Sequence, residues 1–255
     1  EYHQARVMTS LMQDDVSWQM TEYFERAGID PNFLEKMRET RSQFAPEPED
    51  LPLPGSFTRL TDGDQVQVGG HSWEVITGTG HSPEHVCLYN RKLKVLLSGD
   101  QVLPVITSNV SVMPTEPFGN PMLGWMHSHE KFRESIPNDT LVLPAHNDPF
   151  YGLHERLQQL IDHHEDRMLI LEENCVEPQV AIDLLPFLFK RDLEEHSLFM
   201  GLGECIAHLH CLMSHSRIER TLVDNRYMYR SIDPTLTERA RPGHHEEPDD
   251  APIMV

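Results

Sequence analysis

Cysteine is scarce in this sequence, with four residues in 255, at positions 87, 175, 205 and 211. No two of them have the CxxC spacing. A chain of this length buries about 70% of its unfolded surface on folding, so it does not need a disulfide framework. We therefore expect free thiols and a reducing, cytoplasmic location.

Basic residues are also few. Lysine and arginine number 21 against 41 aspartates and glutamates, which gives a formal net charge of −20. This charge disfavours non-specific binding to nucleic acid or to anionic membranes. No apolar run approaches the ~18 residues of a membrane span, and no signal peptide is visible. We expect a small-molecule substrate as the partner, with nucleic acid disfavoured and no membrane.

Hydrophobic periodicity predicts helices and short strands in one chain. Residues 102–121 hold four prolines and no periodic pattern, and such a long irregular segment is usually functional. Residues 45–55 read as an exposed loop rich in proline and acid. The predicted elements are helices over 1–27 (broken near residues 14–15), about 31–43 and 149–174, hairpins of 65–68 with 73–76 and of 85–89 with 93–97, and a strand over 141–143.

The character of the sequence changes after residue 174. A short helix over about 178–186, a second over 190–214 and two strands within 217–230 follow the long helix, and this order is that of a winged-helix module. Prolines and acids dominate the end of the chain. We therefore predict three regions, which are a domain over 1–174, a winged-helix-like region over 175–232 and a disordered acidic tail over 233–255.

Three motifs at the ends of predicted strands carry histidine or aspartate. They are TGTGHSPEH with His81, LLSGDQ with Asp100 and LVLPAHND with His146. Two imidazoles and one carboxylate suit a divalent transition metal. Since the chain has 16 histidines, composition alone leaves structural histidines as an equal alternative.

In this order and with these separations, the motifs resemble the second half of the metallo-β-lactamase superfamily, from near residue 1 to about 174. The resemblance implies an α/β (α+β) fold. This is an αββα sandwich, represented by its second half and part of its first, followed by the winged-helix-like module. It also implies two zinc ions, with manganese or iron as alternatives. His81 and His146 would be ligands, and Asp100 would bridge the ions as a catalytic residue.

The superfamily signature HxHxDH is absent from the 255 residues. His127-Ser128-His129 is an HxH sequence, but it lies on a predicted helix between the second and third motifs. In the superfamily the signature precedes a helix, and this chain begins within such a predicted helix. We therefore expect a fragment that starts just downstream of the motif. Such a chain would bind zinc weakly and be inactive alone, whereas the parent protein would be a metal-dependent hydrolase.

Other polar side chains near the motifs have less specific interpretations. His85 fits a structural role or the orientation of a ligand better than ligation. Asp148 fits a cap for the helix that begins at Pro149, or a partner of a ligand. Asn120 and Tyr151 lie near motif loops, where they could contact substrate.

Three histidines and a glutamate outside the motifs are interpreted more simply. His127 and His129 fit a solvated or groove-lining helix face. Glu204 and His208 are an i, i+4 pair, for which a surface or interdomain hydrogen bond is sufficient.

Three functions stay open. The first is a metal-dependent hydrolase of an ester or thioester. The second is a nuclease of the same fold that uses arginines of the ribbon over 217–230. The third is a non-catalytic binding module that has lost its metals. A GxSxG elbow is absent, which argues against a serine hydrolase. The C-terminal region is expected to cover the substrate cleft or to form a contact in a homodimer.

Overall fold

The computed structural model describes residues 18–42, 55–190 and 193–232, together with Thr235. The predicted helix break near residues 14–15, almost all of the predicted loop over 45–55 and almost all of the predicted tail lie outside these residues. The helices are α1 (Trp18–Arg26), α2 (Pro31–Ser42), α3 (Pro121–Ser135), α4 (Leu153–Asn174), α5 (Ala181–Leu188) and α6 (Glu195–Ser214). The strands are β1 (Gln65–Val68), β2 (His71–Gly78), β3 (His85–Asn90), β4 (Val95–Gly99), β5 (Leu141–Pro144), β6 (Gln179–Val180), β7 (Ile218–Val223) and β8 (Arg226–Ser231).

Strands β1 to β5 form one sheet in chain order. The pairs β1–β2, β2–β3 and β3–β4 are antiparallel, whereas β4–β5 is parallel. Both predicted hairpins are therefore confirmed. Since two antiparallel steps restore the direction, β2, β4 and β5 run the same way and their carboxyl ends meet at one edge of the sheet.

Two tight turns fix the hairpins. Gly69 and Gly70 join β1 to β2 with positive φ angles of 59° and 78°, a conformation that glycine adopts without strain. In the second turn, the Asn90 side-chain oxygen accepts a hydrogen bond of 2.8 Å from the Leu93 backbone N–H. These turns fix the register of β1 with β2 and of β3 with β4. The register in turn places the loops that hold the motifs at the common edge.

The two faces of the sheet are buried to different extents. One face contributes fully buried residues to the same hydrophobic core as helices α3 and α4. On the other face Trp73, Leu88, Leu97 and Leu143 are only half-buried. The core-forming side chains include Ile76, Cys87, Tyr89, Leu96 and Val142 from the sheet, Met122, Trp125 and Phe132 from α3, and Leu153, Leu157 and Leu160 from α4.

Helix α4 begins later than the sequence predicts. Phe150 pairs with Val142, with backbone hydrogen bonds of 2.9 and 3.1 Å, so this segment is extended. Gly152 then forms the N-cap with a φ of 89°. Pro149 is therefore outside the helix, and the prediction that Asp148 caps it is wrong.

The C-terminal region has the predicted order of elements, with one addition. Strand β6, just before α5, pairs with β8, so β6, β8 and β7 form a three-stranded sheet. Asp224 and Asn225, with positive φ angles of 47° and 62°, make the turn between β7 and β8. The assignment of this region to the winged-helix type stays a prediction.

All four cysteines are free and buried. Within the residues that the structure describes, no helix combines the length and the apolar character needed to cross a membrane.

Candidate metal centre

His81, Asp100 and His146 meet at the edge of the sheet where β2, β4 and β5 end. His81 Nε2 lies 3.8 Å from one Asp100 carboxylate oxygen, and His146 Nε2 lies 3.2 Å from the other. The side chains are between 28% and 38% exposed. The aspartate therefore presents each of its oxygens to a different imidazole, at a point that solvent reaches.

The orientation of His81 is fixed by the irregular segment 102–121. His81 Nδ1 lies 2.9 Å from the backbone carbonyl oxygen of Asn109. Because a carbonyl only accepts, Nδ1 carries the proton and Nε2 keeps its lone pair toward Asp100. A hydrogen bond of this kind typically orients a metal-binding histidine.

His85 lies beside the centre, where it holds the loop backbone. The Asp100 backbone N–H donates to His85 Nε2 over 3.1 Å, and His85 Nδ1 lies 3.1 Å from the Ser82 hydroxyl. Since Nε2 accepts, it is the Nδ1–H that donates to Ser82. Both ring nitrogens are thus occupied, which favours the positioning role that the sequence predicted.

Backbone contacts of the 102–121 segment complete the support. The Ser108 hydroxyl donates to the Asp100 carbonyl oxygen, and the Val112 backbone N–H donates to the Gly203 carbonyl oxygen in α6. Asn109 and Ser108 have no motif of their own. The only sequence signal for them was the length and irregularity of the segment.

An open cavity of about 640 Å³ adjoins His81. This volume is within the usual range for a small-molecule site. The cavity is lined by Thr79, Gly80, His81, Ser82, Pro83, Asn109, Ser111, Val112, Met113, Thr115, Glu116, Gly119, Asn120, Pro121 and Gly124.

The remaining predicted residues have distinct environments. Asn120 lines the cavity and caps α3, because its side-chain oxygen accepts from the Leu123 backbone N–H over 3.3 Å. Tyr151 is 69% exposed, and Asp148 is exposed.

His127 is exposed as predicted, but the prediction for His129 is wrong. His129 is buried, with Nδ1 2.8 Å from the Trp125 carbonyl oxygen, and burial lowers its pKa to about 4.

The donor set suits a divalent transition metal. Imidazole nitrogens and carboxylate oxygens are the usual ligands of zinc, and manganese or iron accept the same donors. Each oxygen of the Asp100 carboxylate faces one imidazole. A catalytic zinc ion usually has about three protein ligands, which is the number that these residues supply in all.

Gly99 provides a test of how tightly the centre is packed. Its φ is +54°, and a Cβ atom there would lie 2.4 Å from His85 Nε2. Gly70, with a φ of +78°, has no atom within 4 Å of such a Cβ and is the matched control. We expect Gly70→Ala to lower the free energy of unfolding by about 1–2 kcal/mol through backbone strain alone. Gly99→Ala should cost roughly 1–3 kcal/mol more, because it displaces His85. Urea denaturation measures both, and equal losses would contradict this packing.

Comparison with known protein families gives two matches that cover most of the chain. Residues 16–146 match the family model described as metallo-beta-lactamase superfamily. Residues 169–232 match the one described as metallo-beta-lactamase-like, C-terminal domain.

Two curated proteins are similar to parts of the chain. A Bacillus subtilis (strain 168) protein named "Probable metallo-hydrolase YqjP" is 23% identical over 159 residues, which are 59% of this chain and 47% of that protein. An uncharacterised Aquifex aeolicus (strain VF5) protein is 30% identical over 98 residues, which are 38% of this chain and 44% of that protein. The chain thus spans about half the length of these relatives.

Two solved structures share the fold. A beta-lactamase domain protein from Burkholderia ambifaria has a TM-score of 0.69 and 38% identity, over 72% of this chain and 55% of that one. A metallo-beta-lactamase family protein from Thermus thermophilus has a TM-score of 0.68 and 23% identity, over 88% of this chain and 67% of that one.

Proposed function

Because the chain belongs to the metallo-β-lactamase superfamily, we propose that His81, Asp100 and His146 hold two metal ions in a hydrolase that cleaves an ester or thioester. The observation that carries the proposal is the arrangement of Asp100, whose two oxygens face two different imidazoles. His81 is already in the tautomer that a ligand needs, through its bond to Asn109.

The metal ions, when bound, supply a water of lowered pKa and polarise the carbonyl that is cleaved. The protein residues do the positioning. Asn109 orients His81, and His85 holds the Asp100 backbone. Zinc is the proposed metal, and manganese or iron are compatible with the same donors.

Two ions that shared Asp100 would each have one histidine and one carboxylate oxygen from these three residues. Further ligands are therefore needed for activity, and in the superfamily they come from HxHxDH. We infer that the 255-residue chain by itself binds zinc weakly and does not turn over, and that the whole protein is the hydrolase.

The cavity favours an uncharged acyl substrate over a phosphodiester. Among the described residues that line it there is no lysine or arginine, and the carboxylate there is that of Glu116. Arg220 of the ribbon is not among the lining residues. Its guanidinium lies 4.1 Å from the ring centre of Tyr227, and its Nη1 lies 3.0 Å from His210 Nε2. An anionic nucleic acid would find no described cationic partner in the cavity.

The test begins with the gene upstream of the codon for Glu1. The longest open reading frame should then be expressed and assayed with p-nitrophenyl acetate and an acyl thioester, before and after chelation. We expect hydrolysis that chelation removes and zinc restores. A whole protein that shows no metal-dependent hydrolysis would overturn the proposal in favour of a binding module. Cleavage of RNA but of neither ester would favour the nuclease.

A further inference from the structure

A second group of metal-ligand side chains lies in the interior, between helices α4 and α6. His164 is on α4, and Glu204 and His208 are one turn apart on α6. One ligand atom from each of them lies within 4.8 Å of the others. All three side chains are buried, with exposures of 0%, 5% and 0%. Ligand sets from facing helices with a short spacing on one helix are a common design of metal sites in helical bundles.

The hydrogen bonds determine where the protons are. His208 Nδ1 lies 2.8 Å from the Glu204 backbone carbonyl oxygen, so Nδ1 donates and Nε2 carries the lone pair of the ring. His164 Nδ1 lies 2.9 Å from that Nε2, and therefore it must be the donor between the two rings. His208 Nε2 is thus an acceptor that faces directly into the group.

One further observation concerns His164. Its Nε2 is buried, with no hydrogen-bond partner among the residues that the structure describes. A buried polar atom without a partner is costly, and it calls for an explanation.

The carboxylate provides the negative charge. Glu204 has one oxygen 3.6 Å from Arg167 Nη1 and the other 3.5 Å from the Asn109 side-chain nitrogen. The arginine balances the charge of the carboxylate inside the protein.

We propose that His164, Glu204 and His208 form a separate structural site for a divalent transition metal of the zinc class. Two imidazole nitrogens on one tetrahedral zinc ion are about 3.3 Å apart, given bonds of about 2.0–2.1 Å. The two nitrogens that would bind the ion are His164 Nδ1 and His208 Nε2, which lie 2.9 Å apart and have to separate by only a few tenths of an ångström. The proton that His164 Nδ1 donates would move to His164 Nε2 when the ion binds.

Such a site has a structural consequence for the cavity edge. Asn109 contacts Glu204 through its side chain and His81 through its backbone carbonyl. An ion held between α4 and α6 would keep α6 and Glu204 in place, and through Asn109 it would steady the orientation of His81. This inference stands on its own residues and does not depend on the proposed hydrolase.

The test separates the two sites by variants of the full chain. His81→Ala/His146→Ala removes the cavity-edge ligands, and zinc bound after equilibrium dialysis is measured by atomic emission. We expect about one equivalent of zinc to stay bound in this background. Adding His208→Gln or Glu204→Gln should remove it, whereas adding His129→Gln should not. His129 is the matched control because it is a buried, neutral histidine in the same interior.

Circular dichroism shows whether each variant is folded. If His208→Gln fails to fold, the background variant still decides the question, because its melting temperature should rise with zinc concentration if the inner site exists. Absence of zinc from the background variant, together with an unchanged melting temperature, would overturn the inner site. Zinc that persists after both His208→Gln and Glu204→Gln would overturn it as well. Neither outcome bears on the hydrolase, which depends on His81, Asp100 and His146.

Discussion

Asp100→Asn is expected to weaken zinc binding at the cavity edge by at least about 100-fold. The loss should exceed the 10–100-fold that removal of a hydrogen-bond partner of a metal ligand typically costs, since Asp100 is proposed as a direct ligand of both ions. An asparagine keeps the size of the side chain but removes its charge and one of the oxygens that face His81 and His146. The measurement is a zinc titration of the whole protein against a fluorescent chelator, in a His208→Gln background that removes the inner site.

Asp148→Asn is the matched control for this experiment. Asp148 is exposed, two residues after His146, and its substitution removes the same charge from the same region. Zinc affinity should therefore change little. If the two variants lose affinity equally, general electrostatic attraction rather than ligation explains the binding, and the proposed role of Asp100 is wrong.

The position of the candidate centre could be predicted because its residues follow strands. His81, Asp100 and His146 each lie within three residues of the end of a strand, and β2, β4 and β5 run in one direction. Strands are predicted from the local alternation of apolar and polar residues and from the turn residues that bound them, and both are visible in the sequence. The convergence of the three loops then follows from the sheet order.

The support of the centre could not be predicted in the same way. Asn109 contacts His81 across 28 residues from a segment without periodicity. The start of α4 was also missed, because the pairing of Phe150 with Val142 outweighed the helix signal of Pro149. Backbone pairing of this kind depends on the position of Val142 in the sheet, and that position cannot be predicted from the residues around Phe150.

The interior histidines show the same limit. Glu204 and His208 have the spacing of an exposed helical pair, and a surface or interdomain hydrogen bond was a sufficient explanation for them. In the structure both are buried, because α4 packs against α6 and brings His164 to His208 across 44 residues. His164 lies on the buried face of α4 with Leu157, Leu160 and Met168, but the spacing within one helix does not identify the facing partner.

Arg217→Ala is expected to destabilise the fold by about 3–5 kcal/mol, the usual cost of breaking a buried ion pair from one side. Arg217 donates to Glu172 through Nε over 3.0 Å and through Nη2. The side chain of Glu172 is only 2% exposed, and that of Arg217 is 32% exposed. The substitution leaves a carboxylate inside the protein without its cation, at the point where β7 meets the end of α4.

An exposed pair of similar geometry is the control. Arg91 donates to both oxygens of Glu74 over 2.7 and 3.1 Å, but its side chain is 61% exposed. Arg91→Ala should therefore cost only about 0–1 kcal/mol. Urea denaturation gives both free energies of unfolding. Adding Glu172→Gln to Arg217→Ala should recover part of the loss, since a neutral amide is less costly to bury than an unpaired carboxylate. Equal effects of Arg217→Ala and Arg91→Ala would mean that water reaches Glu172, and that packing rather than this ion pair joins the C-terminal sheet to α4.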